Sequence, residues 1–345
     1  MLNIRVLQAS YGDSIIISYG NTDKHYILVD GGCGRVCYRD LCKFMEQIDG
    51  SLDLLVLTHI DFDHISGILQ LFENKPELIS KINRIWFNFG EELQNALCVD
   101  KDPIEIYLDS KDTKVSWKQG ENLEVILKKI DIQRDACVKA MDTFCIAGMK
   151  ITILSPNIKI LQKFAEQEDK EKLKEKRKNT KISGDNDYAK SIDELEEMKF
   201  EGNVTLTNQS SIALLLEYEE KKLLMLGDAE ANIVIESLKN LGYSEDNRLH
   251  IDYFKISHHA SRHNTNNELI KMINCNNYII STYETSNGRP SKECLSRIIK
   301  NTNGKVNFYC NYDLNIKSIF TDLEIKKYGM NFILTDENGI IVKDI

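Results

Sequence analysis

Residues 54–67 read Leu-Leu-Val-Leu-Thr-His-Ile-Asp-Phe-Asp-His-Ile-Ser-Gly. The apolar run from Leu54 to Leu57 predicts a buried strand, which stops abruptly at Thr58-His59-Ile60-Asp61-Phe62-Asp63-His64. Two imidazoles and two carboxylates therefore follow one strand end at positions 59–64. These side chains bind zinc, manganese or iron, and burying such a cluster without a cation is costly. A polar turn with Asp63 capping the next helix would account for one Asp. It leaves the second Asp and both His unexplained, so the stretch reads as a metal site.

Two more predicted strands stop at residues of the same kind. Lys222–Leu226 ends in Gly227-Asp228, and Ile251–Ile256 ends in Ser257-His258-His259-Ala260-Ser261. In sheet-based folds strand ends gather along one edge, where loops carry the chemistry. A single His at a strand end is more often structural than a ligand. Here His59, Asp61, Asp63, His64, Asp228, His258 and His259 follow three strands in a chain with 7 His, which favours ligands. Of the adjacent pair His258 and His259, one is expected to face the metal and the other the core. Asp30 follows the strand Tyr26–Val29 and precedes Gly31-Gly32. By itself it reads as a turn residue; the functional alternative is a carboxylate that holds a metal ligand in place.

The segments 2–8 and 14–19, around Ala9-Ser10-Tyr11-Gly12-Asp13, predict a hairpin. Helices are expected over 38–48, 66–72, 88–98, 230–241 and 291–299. Strands are expected over 82–87, 149–154, 210–218, 277–281 and 305–309, around Trp117, Val125 and Leu127, and at 316–322, 331–335 and 340–343. From Ile158 to Gly202 the composition changes, with Lys and Glu alternating over Lys163–Lys178 and an acidic run over Ser191–Glu201. This predicts a solvated helical insertion with i,i+4 charge pairs. The sharper alternative is an arm that contacts a protein partner or a substrate.

The 345 residues are 42% apolar with a formal charge of −9, enough to bury a substantial core. The acidic balance argues against broad electrostatic binding of nucleic acid or of an anionic membrane. It leaves room for an anionic substrate, because bound metal ions reverse the local charge. The 9 Cys show no repeated Cys-x2-Cys spacing and favour free thiols in a reducing cytoplasm. No apolar run approaches the ~20 residues a membrane span needs. A soluble cytoplasmic protein without membrane contact is the expectation.

Taken together, the motifs make the chain resemble metallo-β-lactamase-fold hydrolases, which carry His-x-His-x-Asp-His after a strand. More narrowly it resembles the soluble hydrolase domain of ComEC-type DNA-uptake proteins and their free-standing relatives. The motifs of that branch stand here in order as Gly12-Asp13-Ser14, Val29-Asp30-Gly31, His59 to His64, Leu226-Gly227-Asp228 and His258-His259-Ala260-Ser261, over residues 1 to about 290. The resemblance implies an α/β fold, a four-layer αββα sandwich of two mixed β-sheets. It implies a single domain over 1–345, interrupted by the charged helical insertion 158–202.

It further implies two divalent metal ions, zinc or manganese, with magnesium as a third candidate. Asp228 would bridge them, His59 and Asp61 leaning to one, Asp63 and His64 to the other, and one of His258 or His259 completing the set. Asp63 and Asp228 are the catalytic candidates, Asp63 as the residue that orients water. Asp61 replaces the second His of the wider family, as is usual in the narrower branch. Thr207-Asn208-Gln209-Ser210 stands where the wider family has another His, so the first metal position is expected to be oxygen-rich, shifting preference toward manganese or magnesium. Arg289-Pro290 stands where relatives often show His-Pro and offers a guanidinium to a phosphate. Asp30, Asn208, Ser261 and Arg289 are thus the supporting or substrate-contacting candidates. The implied activity is phosphodiester hydrolysis, with single-stranded DNA or another nucleic acid as substrate. Two further readings stay open: a hydrolase of a small ester, lactone or thioester, and a regulatory or interaction subunit contacting a partner through 158–202.

Overall fold

The computed structural model describes residues 1–98, 111–171, 187–202, 204–283, 288–336 and 339–342. Two mixed sheets dominate it. The first runs, in spatial order, Ile340–Val342, Leu2–Val6, Ile15–Tyr19, His25–Val29, Leu54–Leu57, Arg84–Phe87 and Gln133–Asp135. Its pairings are antiparallel up to His25–Val29 and parallel from there on. The second runs Met330–Leu334, Val306–Cys310, Asn277–Ile280, Tyr253–Lys255, Lys221–Met225, Ala213–Tyr218, Met149–Ser155 and Thr143–Ile146. It is parallel as far as Lys221–Met225 and antiparallel beyond.

Side-chain alternation along the strands sorts the apolar residues into three layers. Leu54 and Val56 point between the sheets, where Ile17, Ile27 and Trp86 meet Ile153, Leu214 and Met225 of the second sheet. Leu55 and Leu57 point outward, against Leu41 and Met45 of the helix Arg35–Gln47 and Ile65 and Ile68 of the helix Phe62–Asn74. On the far side Leu224, Phe254 and Tyr278 meet Val234 and Leu238 of the helix Ala231–Asn240 and Leu295 and Ile298 of the helix Lys292–Asn301. Central parallel strands are thus covered on both faces, which is why they read as unbroken apolar runs. The expected four-layer αββα sandwich is the architecture observed. No helix among the described residues is long and apolar enough to cross a membrane.

Several expected elements are corrected. Trp117 and Leu127 lie in one helix, Lys111–Leu127, instead of short strands. Trp117, Leu123 and Leu127 face the outer cluster, and Gly120 admits the Phe89 ring where a Cβ would stand 2.8 Å away. Their helical spacing outweighs the β preference of the individual residues. Residues 316–322 form the helix Ile316–Ile319 and the start of a second, Asp322–Tyr328, whose capping box joins Thr321 and Glu324. The helix expected over 88–98 is present as Gly90–Leu97.

Of the charged stretch 158–202, the segment 172–186 lies outside the described residues. The helix Ile158–Glu171 buries Leu161, Phe164 and Ala165 in the first sheet's outer cluster. Farther on, Ile192–Glu196 packs on the helix Lys292–Asn301. Asp187 accepts hydrogen bonds from Ser291 Oγ (2.7 Å), Lys292 N (3.0 Å) and Glu293 N (2.7 Å), capping that helix from a distant part of the chain.

Candidate metal centre

The parallel pairs His25–Val29/Leu54–Leu57 and Lys221–Met225/Tyr253–Lys255 bring the ends of four strands side by side, two in each sheet. Asp30 ends the first of these strands and Thr58 and His59 the second. Gly227-Asp228 follows the third and Ser257–Ala260 the fourth. The sheets touch at this edge. Ile212 N donates to Thr58 O (2.9 Å), and a Cβ on Gly227 would meet Thr58 Cβ at 3.2 Å.

The donor atoms form two groups joined by one carboxylate. Around Asp228 Oδ2 stand His59 Nε2 at 3.7 Å and His258 Nε2 at 3.5 Å, with Asp61 Oδ2 3.5 Å from His59 Nε2. Around Asp228 Oδ1 stand His64 Nε2 at 3.5 Å and His259 Nε2 at 3.8 Å. Asp63 Oδ2 lies 3.7 Å from His64 Nε2 and 3.4 Å from His259 Nε2. These separations are too long for good hydrogen bonds. They match the edge of a donor shell with bonds of about 2.0–2.1 Å, roughly 3.4 Å for a tetrahedron.

The proton positions support the same reading. His64 Nδ1 donates to Asp30 Oδ2 (2.7 Å) and His259 Nδ1 to the Ser281 carbonyl (2.7 Å). Thr58 donates its hydroxyl to Asp30 Oδ2 (2.7 Å) and so accepts from His59 Nδ1 (2.9 Å). Asn264 gives its amide N–H to the Asp228 carbonyl (2.9 Å), leaving its oxygen to accept from His258 Nδ1 (2.9 Å). With Nδ1 occupied in all four rings, Nε2 is the nitrogen turned toward the carboxylates. His59 Nε2, His64 Nε2, His259 Nε2 and Asp228 Oδ1 are buried without hydrogen-bond partners, which fits two cations held between them.

Charge leads to the same place. Burial alone would raise the Asp228 carboxyl, but His258, His64 and His259 outweigh it and hold it well below the usual carboxylate range. Asp63 is likewise held low against burial by His64 and His259. Burial opposes a charge on His64, yet Asp228, Asp30 and Asp63 raise it well above its ordinary value. The pocket therefore stabilises positive charge, whether a proton on Nε2 or a metal ion that displaces it. His258 behaves differently: burial, helped by the charge of Arg289, pushes it down to about 3 and keeps it neutral.

Both His258 and His259 face Asp228, where one was expected to turn into the core. His258, His259 and Ala260 have left-handed φ of 50°, 55° and 61°. Each costs about 1–2 kcal/mol for a residue with a side chain. The gain is directional, since neighbours in an extended strand would point to opposite sides. His258 also supplies the second imidazole of the group expected to be poor in nitrogen. Asn208 is not the substitute: its amide nitrogen contacts the His258 ring, 3.3 Å from Nδ1. Ser261 is buried, with its hydroxyl turned to His263 N (3.3 Å) instead of to the carboxylates.

Asp13 stands in the expected turn and in the Gly12-Asp13-Ser14 motif but was not among the expected site residues. One carboxylate oxygen lies within 4.8 Å of ligand atoms of His64, Asp228 and His259. Its Oδ2 is engaged by the buried ammonium of Lys255, so Asp13 is charge-matched before any cation binds. That leaves Asp30, Asp61, Asp63 and Asp228 as four carboxylates for two divalent ions to balance.

Fold and site together define a four-layer α/β sandwich with a candidate two-cation centre where its sheets meet. Among solved structures, CmlA, a diiron β-hydroxylase from Streptomyces venezuelae, matches with 12% identity and a TM-score of 0.41, over 96% of this chain and 52% of that one. This chain thus spans about half the length of CmlA. A protein from Parabacteroides distasonis, provisionally described as a metal-dependent hydrolase, matches with 12% identity and a TM-score of 0.40, over 96% and 93%. A long form RNase Z from yeast matches with 10% identity and a TM-score of 0.38, over 90% and 36%. No protein-family profile matches the chain, and no curated protein matches it significantly.

Proposed function

We propose that this protein is a metal-dependent hydrolase of phosphodiesters, with nucleic acid as its substrate class. The observation that carries the reading is Asp228, whose two oxygens each face a separate group of two imidazoles and a second carboxylate. Two divalent cations, zinc, manganese or magnesium, would supply Lewis acidity there, acidifying a water and neutralising charge on the ester oxygens.

The chain supplies position and access. Thr58, Asp30, Ser281 and Asn264 fix the four rings, so little reorganisation accompanies substrate binding. The Asp61, His258 and Asp63 side chains are 29%, 18% and 16% exposed, whereas those of His59, His64 and His259 are sealed, so substrate enters past these three residues. Asp63, partly exposed on that side, would orient an incoming water by accepting its hydrogen bond. Arg289 is close enough for its charge to be felt by His258, so its guanidinium would be available to a substrate phosphate on the side of the other group. Cys33 is close enough to feel Asp63, but burial pushes its thiol up, which makes it a poor nucleophile.

Metal analysis combined with turnover of single-stranded DNA, RNA and a small diester, each with zinc, manganese and magnesium, tests the proposal. Metal-dependent cleavage is expected, falling more than about 100-fold in Asp228→Asn, beyond what loss of an outer partner causes. A metal-loaded protein that leaves all three substrates intact would remove the reading.

A further inference from the structure

The chain contains 14 Tyr, 12 Phe and 2 Trp. Among the described residues three of these rings are largely exposed: Tyr11 (45%), Phe62 (39%) and Tyr283 (59%). Tyr11 and Tyr283 sit on loops beside the candidate metal centre, and Phe62 opens the helix Phe62–Asn74 within it. Phe62 stands between Asp61 and Asp63. Tyr11 precedes Gly12, which approaches Asp63 so closely that a Cβ there would fall 1.8 Å from Asp63 O. Tyr283 follows Ser281, the acceptor of His259, and its backbone N donates to Ser10 O at 2.7 Å. Its ring packs edge-on against Tyr312 (centroids 5.4 Å apart), whose hydroxyl accepts from Ser10 N at 2.8 Å.

Exposed aromatic area is unfavourable in water, and its concentration at one place marks a contact surface. We propose that Tyr11, Phe62 and Tyr283 form a stacking rim for the unpaired bases of single-stranded nucleic acid, holding a strand whose phosphate enters the metal centre. The inference rests on the phosphodiester reading and deepens it. An unpaired strand alternates phosphates with flat rings, and the centre and the rim offer one partner for each. The formal charge of −9 restricts how such a strand could be held. An acidic chain offers little sequence-independent attraction to a phosphate backbone, so affinity away from the cations must come from base faces. A duplex, whose base faces are already stacked, gains nothing from such a rim.

The test is fluorescence anisotropy with labelled oligothymidylate and with an abasic strand of equal length, in EDTA and in manganese, with metal content measured on every variant. Wild type is expected to bind oligothymidylate at least about tenfold tighter than the abasic strand, with a shallow salt dependence. Phe62→Leu and Tyr283→Leu, which keep apolar bulk but remove the π face, should each lose severalfold of that preference, and Tyr283→Trp should retain it. Equal affinity for the two strands, or a preference that survives in the triple variant Tyr11→Leu/Phe62→Leu/Tyr283→Leu, overturns the rim. Base-dependent binding without turnover would uphold the rim while removing the hydrolase reading. Cleavage of both strands with equal affinity would do the reverse.

Discussion

Lys255 places its ammonium against the carboxylate of Asp13 beside the metal centre, with both side chains almost sealed from water. Asp13 lies on the loop between Leu2–Val6 and Ile15–Tyr19 of the first sheet and Lys255 ends a strand of the second, where it also donates to Gly227 O at 3.3 Å, one residue before Asp228. The pair matches the charge of Asp13 while it ties together two of the loops that build the site.

Lys255→Met leaves that carboxylate buried and unpaired. The expected loss is about 3–5 kcal/mol of unfolding free energy, most of it recovered when Asp13→Asn is added. Denaturant titration of the single and double variants in EDTA measures both. An equal loss in the two would show that the pairing is not what stabilises the site.

Asp30 accepts from Thr58 N (2.8 Å), Thr58 Oγ1 (2.7 Å) and His64 Nδ1 (2.7 Å), and so sets His64 directly and His59 through Thr58. Asn tolerates the left-handed φ of 60° found at this position. Asp30→Asn should therefore fold, yet turn an amide against a ring N–H and lower metal affinity about 10–100-fold. Competition against a chelator of known affinity reads this directly, and unchanged affinity would mean that the rings are held by other contacts.

Gly12→Ala is expected to be disruptive out of proportion to its size. The added carbon would meet the Asp63 carbonyl oxygen at 1.8 Å and the carbonyl carbon at 2.7 Å, where backbone must move. Destabilisation of about 1–3 kcal/mol is expected, with reduced metal content because Asp63 is displaced. Thermal unfolding and metal analysis on one sample decide it; full metal content at wild-type stability would contradict the close approach.

Asp193 joins the 187–202 segment to two helices, accepting from Lys300 (2.7 Å), Tyr328 (2.7 Å) and Lys327 (3.0 Å). These bonds hold its carboxyl well below the ordinary range. The sign follows: the contribution is present above the unfolded value, near pH 3.9, and is lost as pH falls through the lower folded value. Amide protection in Ile192–Glu196 should drop on acidification below about pH 4, and at neutral pH in Asp193→Asn or high salt. Protection indifferent to both would assign the anchoring to Ile192 and Leu195, which are buried beside it.

Much of the centre was legible because its signals are short-ranged. A strand that stops at His or Asp can be read from a few neighbouring residues, and that located His59 to His64, Asp228 and the His258-His259 pair. What escaped depends on distant partners or on backbone geometry. The Asp13–Lys255 contact joins residues 242 apart. The inward turn of both His258 and His259 needs three successive left-handed residues, with no glycine to announce them. The helix Lys111–Leu127 was misread because Trp and Val favour strands, and only the Phe89 side of the core shows which spacing matters. The strand Gln133–Asp135 is too short and polar to announce itself.

The candidate ligand groups draw on both sheets: His59, Asp61, Asp63 and His64 from the first, Asp228, His258 and His259 from the second. Neither half of the sandwich contains a complete donor set. Metal uptake at this site would therefore require segments far apart in the chain to have docked first. Ions held there would act as rivets across the inter-sheet seam, so that prying the halves apart and releasing them would become a single event.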